Sequence, residues 1–152
     1  GKAIVYYAQN THWGMFINDT TSASGAYAIG FGSGGTRVGQ ISTTTSATTY
    51  ATSSDYRLKE NVAPMTGALN KVSQLKPCTF NWKLDKTSSQ GFIAHELESV
   101  IPEAVTGTKD AVDEDGTPHY QGVDTSFLVA TLTAAIQELK AEVDSLKQQL
   151  GK

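Results

Sequence analysis

Residues 129–150 read VATLTAAIQELKAEVDSLKQQL, and their apolar side chains recur at alternating intervals of three and four. This spacing predicts an α-helix with one apolar seam, which is typical of a coiled coil. Asp124 and Thr125 precede the seam and are both suitable N-caps, so we expect the helix to span about 125–150. We also expect it to associate with copies of itself through the seam residues, which are Val129, Leu132, Ile136, Leu139, Val143, Leu146 and Leu150.

The number of associating chains stays open at this point. β-Branched residues at the first heptad position and leucine at the fourth favour two strands in isolated parallel coiled coils. Glu142 and Lys147 flank the seam at positions that pair between parallel neighbours. A β-structured stem attached upstream can override the preference for a dimer.

Charged residues are distributed unevenly along the chain. Residues 1–53 contain only Lys2, Asp19 and Arg37, whereas the whole chain has 12 basic and 15 acidic residues. Two regions of such different chemistry are not expected to share one fold. We therefore predict a stem at 1–53 and a second domain at 54–152.

The first region is rich in Gly, Ser, Thr and Ala and contains four short runs of strand-forming residues. β-Branched and aromatic residues between Gly, Asn and Asp turn signals predict β-structure. Large apolar residues are too few for this region to form a core alone, so we expect it to bury surface against other copies of itself. A flexible Gly/Ser-rich linker is the alternative. The runs occupy 3–7, 14–17, 27–31 and 37–41, followed by an extended Thr-rich stretch at 42–54.

The second region has the pattern of a mixed α/β domain. Ala68, Leu69, Val72 and Leu75 share one helical face, and Pro77 prevents that helix from continuing. We expect further elements in chain order: a strand at 78–83, a strand at 91–94, a helix at 95–100 and an acidic hairpin tip at 110–116. The predicted fold class is α+β.

Composition excludes several kinds of site. No run approaches the roughly 18 consecutive apolar residues of a membrane helix, and a net charge of −3 gives no basic surface for nucleic acid. A single cysteine, Cys78, rules out an intrachain disulfide and a zinc site of paired cysteines. The acidic residues at 110–115 lack the ligand spacing of a calcium loop, so we predict neither metal nor cofactor.

The start at Gly1-Lys2, inside a strand-like run, suggests a fragment with further domains upstream.

At the boundary stands Ser54-Asp55-Tyr56-Arg57-Leu58-Lys59-Glu60-Asn61-Val62. A serine hydroxyl becomes a good nucleophile when a base removes its proton, and a neutral lysine amine can be that base. At the reference pKa only about one lysine in 2,500 is neutral at pH 7, so burial or a neighbouring cation such as Arg57 must favour the neutral form. Spacing alone carries little weight, because a serine and a lysine five residues apart are common.

The segment 54–62 resembles the opening of the intramolecular chaperone auto-processing domain of phage endosialidases, tail fibres and neck appendages. Further similarities follow in the family's order at 75–82, 91–97, 101–105, 123–124 and 134–139. His95 departs from the smaller or amide side chain that the family often has, so no role is transferred to it. The resemblance covers 54–150, while the stem matches only in general character.

The resemblance implies a homotrimer in which the C-terminal domains gather three chains and guide folding of a triple β-helix stem. Ser54 is then the nucleophile, Lys59 the general base, and Arg57 and Asn61 supporting residues. The cut falls beside Ser54, at Ser53–Ser54 or Ser54–Asp55. Attack on the preceding carbonyl passes through a five-membered ring, whereas the family is also described with the serine at the new C-terminus. The implied location is a virion tail fibre or tailspike, with the chaperone part released in the host cytoplasm during assembly.

Two other functions are compatible with the sequence. One is a trimerisation and folding domain that stays attached and does not cleave. The other is a receptor-binding fibre tip, in which stem aromatics contact bacterial surface glycans; the aromatics are Tyr6, Tyr7, Trp13 and Phe16. We expect no catalytic or metal role for four further residues, His12, His95, Glu96 and His119, and we expect Cys78 to lie in the core.

Overall fold

The computed structural model describes residues 26–151. The strands predicted at 3–7 and 14–17 lie outside the described residues, as do the four stem aromatics and His12. The described part of the chain divides into two compact units between Val62 and Ala63. The boundary predicted at 53/54 from the change in charge and composition stays a prediction.

The first unit contains a three-stranded antiparallel sheet in the order β1-β2-β3. These strands are β1 (Ala26–Ser33), β2 (Thr36–Thr43) and β3 (Thr48–Thr52). Gly34 and Gly35 have φ of 56° and 80°, the left-handed conformation that a two-residue hairpin turn requires at both positions. The strands predicted at 27–31 and 37–41 are thus confirmed.

The sequence predicted that the Thr-rich stretch at 42–54 is extended throughout, and this prediction is wrong. The hydroxyl of Thr44 accepts hydrogen bonds from the backbone N–H of Ser46 and of Ala47. This local turn competes with a continuous strand, because a threonine hydroxyl can replace the ladder partner of nearby backbone groups. The chain therefore reverses at 44–47 and returns as β3, whose residues are all exposed.

The second unit begins with helix α1 (Ala68–Gln74), which confirms the helix predicted before Pro77. Strand β4 (Cys78–Asn81) pairs with β5 (Ser88–Gly91) in antiparallel register. The strand predicted at 91–94 is wrong. The N–H of Trp82 donates to the Thr87 carbonyl at 2.9 Å, which closes a short loop, and β5 therefore begins three residues before the predicted strand.

After β5 the chain enters the core of the second unit. Helix α2 (Ala94–Glu98) is shorter than the helix predicted at 95–100 and is followed by a 3₁₀ turn at Pro102–Ala104. One hydrophobic cluster of this unit contains four buried residues, with Leu75, Phe92, Val100 and Val105 packed against them. The four are Leu97, Ile101, Ala104 and Leu128.

Strand β6 (Val105–Thr106) pairs with β7 (Gly122–Val123), and the chain between them forms the expected acidic hairpin tip. The tip is closed by the N–H of Asp113, which donates to the Thr117 carbonyl at 2.8 Å. Helix α3 (Leu128–Gln149) follows, so the long C-terminal helix is confirmed. The predicted N-cap Asp124 accepts a hydrogen bond from the Ser126 N–H, and the first turn, Thr125–Phe127, is a 3₁₀ turn.

Helix α3 has two different apolar faces. One face buries Leu128, Thr131 and Ala135, and the helix packs against α1. The predicted seam lies on another face. Its seven residues, the first of which is Val129 and the last Leu150, are each between 40% and 71% exposed. An apolar stripe of this length on a helix surface indicates that α3 packs against something further. Self-association of the helix stays a prediction.

Candidate active site

The site lies in the first unit, where the chain leaves the sheet. Ser53 follows β3 directly and remains attached to β2. Its N–H donates to the Val38 carbonyl at 2.9 Å, and its hydroxyl donates to the Arg37 carbonyl at 3.3 Å. The residue before the candidate nucleophile is therefore held on the sheet by two hydrogen bonds.

Beyond Ser54 the chain reverses in a 3₁₀ turn at Tyr56–Leu58. The backbone N–H of Leu58 donates to the Asp55 carbonyl, and that of Lys59 donates to the Tyr56 carbonyl, both at 3.1 Å. Asp55 is the N-cap of this turn, with φ −65° and ψ 137°. Aspartate favours this position because its short carboxylate can accept from the backbone two residues on.

The carboxylate of Asp55 also binds the side chain of Arg57. Oδ1 accepts from the Arg57 backbone N–H and from Nε, each at 2.9 Å, and Oδ2 accepts from Nη2 at 2.8 Å. The side-chain hydrogen bonds first, and the backbone one second, lower the pKa of Asp55 below its ordinary value. The same pairing raises the pKa of Arg57. The sequence suggested that the Arg57 cation would act on Lys59, but its guanidinium is instead paired with a carboxylate.

The reversal brings the two candidate catalytic residues together. Lys59 Nζ donates a hydrogen bond to Ser54 Oγ at 2.7 Å. Both residues are exposed to water. A neutral amine in this position would accept the hydroxyl proton along the same line, which is the geometry that general-base activation of a serine needs.

Asn61 lies two residues beyond Lys59 and is exposed. Its backbone has φ 53°, the left-handed conformation that asparagine tolerates better than most residues. The chain therefore changes direction at Asn61, after the site. A supporting role of its side chain stays a prediction.

The second unit contains Cys78 and three residues that were expected to have no catalytic or metal role, His95, Glu96 and His119. Cys78 is half-buried, and its thiol contacts the Gly91 carbonyl at 3.6 Å. His95 is exposed, Glu96 pairs with Lys76 at 3.5 Å, and His119 pairs with Asp113 at 2.8 Å. Within residues 26–151 no group of three or more His, Cys, Asp or Glu side chains is arranged to hold a metal ion. In the same range no helix is both long and apolar enough to cross a membrane.

Asp55 was expected only at the border of the cut, and its position as the N-cap of the turn was missed. The signal was present, because an aspartate two residues before a donor is a common turn former. Glu138 was also missed. Its carboxylate binds backbone N–H groups of α1, about 70 residues earlier in the chain, and no local pattern indicates such a contact.

Comparison with known proteins agrees with the resemblance stated from sequence. Residues 54–106 match the model of a family described as "Chaperone of endosialidase", whose name places it among the peptidases. The matched segment is similar to that family, as predicted, and it contains Ser54, Asp55, Arg57, Lys59 and Asn61.

Two relatives are long tail fiber proteins of bacteriophages. The long tail fiber protein Gp37 of Enterobacteria phage K3 is 31% identical over 103 residues, which cover 64% of this chain and 8% of that protein. Gp37 of Enterobacteria phage T2 is also 31% identical over 103 residues, covering 64% of this chain and 7% of that protein. The chain thus spans less than a tenth of the length of these relatives.

Proposed function

We propose that this chain is the C-terminal part of a phage tail fibre or tailspike, in which residues 54–152 act as an intramolecular chaperone and release themselves by self-cleavage beside Ser54. The observation that carries the proposal is the 2.7 Å contact between Lys59 Nζ and Ser54 Oγ, within a segment of the chaperone-of-endosialidase family. The match to phage long tail fiber proteins supports the location in the virion tail.

The reaction begins when the neutral amine of Lys59 removes the proton from Ser54 Oγ. The resulting alkoxide attacks the Ser53 carbonyl carbon through a five-membered ring, and the C–N bond of the Ser53–Ser54 peptide breaks. The Ser54 nitrogen takes up the proton from the Lys59 ammonium, while Ser53 is left as an ester on Ser54 Oγ. Water then hydrolyses the ester and leaves a carboxylate on Ser53. The two hydrogen bonds that hold Ser53 on β2 favour this route, because they fix the residue that carries the attacked carbonyl.

A cut at Ser54–Asp55 is the other possibility, and it would leave serine at the new C-terminus. Attack by Ser54 on its own carbonyl requires a strained four-membered ring. This bond therefore needs a different attacking group, such as water activated by Lys59. The masses of the two fragments distinguish the bonds, since they differ by one serine residue.

Self-cleavage is coupled to assembly in this proposal. Lys59 is exposed in the single chain, and water stabilises an ammonium group. Covering this segment with neighbouring chains removes water and favours the neutral amine. The exposed seam of α3 supports self-association, and three chains are the number that the family resemblance implies. Cutting then waits until the chains have come together.

Removing the chaperone makes the folded stem durable. A trimer that keeps its template can unfold by the route through which it folded. Without the template, intertwined strands separate slowly, so the lifetime of the stem depends on its unfolding rate. One turnover per chain is enough for this purpose.

A second candidate function is a trimerisation and folding domain that stays attached. The exposed seam of α3 favours it equally, because self-association does not need Ser54 or Lys59. For the third function, a receptor-binding tip, the stem aromatics in question lie outside the described residues.

Substitution of the nucleophile separates the two leading functions. Ser54→Ala is expected to keep the chain at its full 16.2 kDa, while the parent splits into two fragments on a denaturing gel. Ser46→Ala is the matched control, because Ser46 is also an exposed serine of the first unit and should leave cleavage unchanged. A parent chain that stays whole under conditions in which it assembles favours the non-cleaving domain.

A further inference from the structure

The contact between Ser54 and Lys59 depends on a reversal of the chain between them. Five residues in an extended conformation span roughly 17 Å, which is much longer than a lysine side chain. A separation of 2.7 Å between Oγ and Nζ therefore exists only while the turn at Tyr56–Leu58 is formed. Whatever holds this turn also holds the candidate dyad.

Within this turn, the carboxylate of Asp55 accepts hydrogen bonds from the backbone and from the side chain of Arg57. One oxygen accepts from the Arg57 backbone N–H and from Nε, and the other accepts from Nη2, at distances of 2.8–2.9 Å. The backbone contact caps the turn, and the two-point contact with the guanidinium restricts the carboxylate to one orientation. A cap alone leaves the side chain freer to rotate towards water.

We propose that Asp55 is the positioning residue of the self-cleavage site, and that Arg57 acts through Asp55 rather than on Lys59. The Asp55 carboxylate folds the turn that delivers the Lys59 amine to Ser54. The Arg57 guanidinium holds that carboxylate in place and neutralises its charge. This inference rests on the proposed self-cleavage.

Charge neutralisation matters because Asp55 is adjacent to the nucleophile. An unpaired carboxylate in the same turn would stabilise the protonated form of a nearby amine and oppose its action as a base. The charged groups in this segment are Asp55, Arg57, Lys59 and Glu60, all of them exposed. Pairing of Arg57 with Asp55 removes the negative charge that lies closest in sequence to Ser54.

The first test removes the cap. Asp55→Ala is expected to slow self-cleavage roughly 10- to 100-fold, because a displaced reacting group loses its attack geometry. Asp55→Asn should recover much of the rate, since its amide oxygen can still accept from the Arg57 N–H. The control is Asp85→Ala, because Asp85 forms the same kind of turn with Thr87 at 3.0 Å in the second unit and should leave the rate unchanged.

The second test is the pH dependence of the cleavage rate, which loss of folding alone would not move. Arg57→Gln is expected to shift the rising limb of the rate to higher pH, because the bare Asp55 carboxylate keeps the proton on the amine. The double variant Asp55→Asn with Arg57→Gln carries no such charge, so its profile should move back towards that of the parent.

The outcomes separate this inference from the proposed function. If Asp55→Ala cleaves at the parental rate, the positioning role is wrong even though Ser54→Ala stays whole. If Arg57→Gln leaves the pH profile where it is, neutralisation of the Asp55 charge by Arg57 is wrong. If Ser54→Ala cleaves like the parent, the self-cleavage proposal itself fails. Melting temperature and oligomeric state, measured for every variant, identify a variant that fails to fold. If Asp55→Ala is such a variant, the cleavage rate of Asp55→Asn is compared with that of the parent instead, and a rate much lower than the parent's would contradict the positioning role.

Discussion

The carboxylate of Glu138, on α3, accepts a hydrogen bond from the backbone N–H of Leu69 at 2.8 Å, although the two residues lie 69 positions apart. The second carboxylate oxygen accepts from the Ala68 N–H at 3.0 Å. Helix α1 begins after Gly67, which has no side chain to cap it. The N-terminus of α1 is therefore capped by a side chain of the long helix, which ties the two helices together.

This cap predicts acid-sensitive stability. The backbone hydrogen bonds, from Leu69 first and Ala68 second, lower the pKa of Glu138. The cap therefore stabilises the fold above the unfolded pKa, about 4.3, and its contribution is lost as the pH falls through the lower folded value. Glu138→Gln is expected to lower the melting temperature at pH 7 and to change it little in strong acid. Glu114→Gln, at an exposed hairpin tip, serves as the control, and an equal loss at both pH values would contradict the argument.

The core of the second unit predicts a large difference between two leucines. Leu97 is 2% exposed, whereas Leu84 is 97% exposed. Leu97→Ala is expected to lower the unfolding free energy by about 2–5 kcal/mol, because it removes buried apolar groups and leaves a cavity. Leu84→Ala should change the unfolding free energy little. Urea denaturation of both variants makes the comparison, and similar losses would show that the core lies elsewhere.

Sequence predicted the parts of this molecule that depend on local patterns. The interval of three and four between Val129 and Leu150 was sufficient for α3, and Pro77 was sufficient to end α1. Strand β5 was misplaced because it ends at Gly91, and the next residue, Phe92, packs against the core instead of continuing the strand. Its register depends on the loop closed by Trp82 and Thr87, which apolar periodicity does not report.

The candidate site was predictable in its members but not in its internal contacts. The resemblance supplied Ser54 and Lys59, and their contact follows from a short turn. Pairing of Arg57 with Asp55 was not foreseen, because an exposed charged side chain can bind several partners and only the turn decides between them. The Glu138 cap requires the packing of α1 on α3, so it follows from the tertiary fold alone.

The exposed seam of α3 predicts that a single charge disrupts assembly. Ile136→Glu places a carboxylate on the apolar stripe, where Ile136 is 67% exposed in the single chain. Association would bury this charge, so we expect the oligomer to dissociate into monomers in sedimentation experiments. Gln137→Glu adds the same charge at the adjacent exposed position and should leave the oligomer intact.

The same pair of variants tests the coupling of cleavage to assembly. If cutting waits for association, Ile136→Glu should remain largely uncut at concentrations at which Gln137→Glu is processed fully. Raising the protein concentration should restore cleavage only as far as it restores association. Normal processing of a monomeric Ile136→Glu chain would remove the coupling while leaving the candidate dyad in place.

Intact-mass measurement of a Lys59→Ala chain tests whether the amine of Lys59 activates the hydroxyl of Ser54. Lys83→Ala, an exposed lysine of the second unit, is the matched control. Lys59→Ala is expected to keep the mass of the uncut chain, whereas the parent and Lys83→Ala should give two fragments that meet at Ser54. Two such fragments from Lys59→Ala, formed as fast as from the parent, would contradict this expectation.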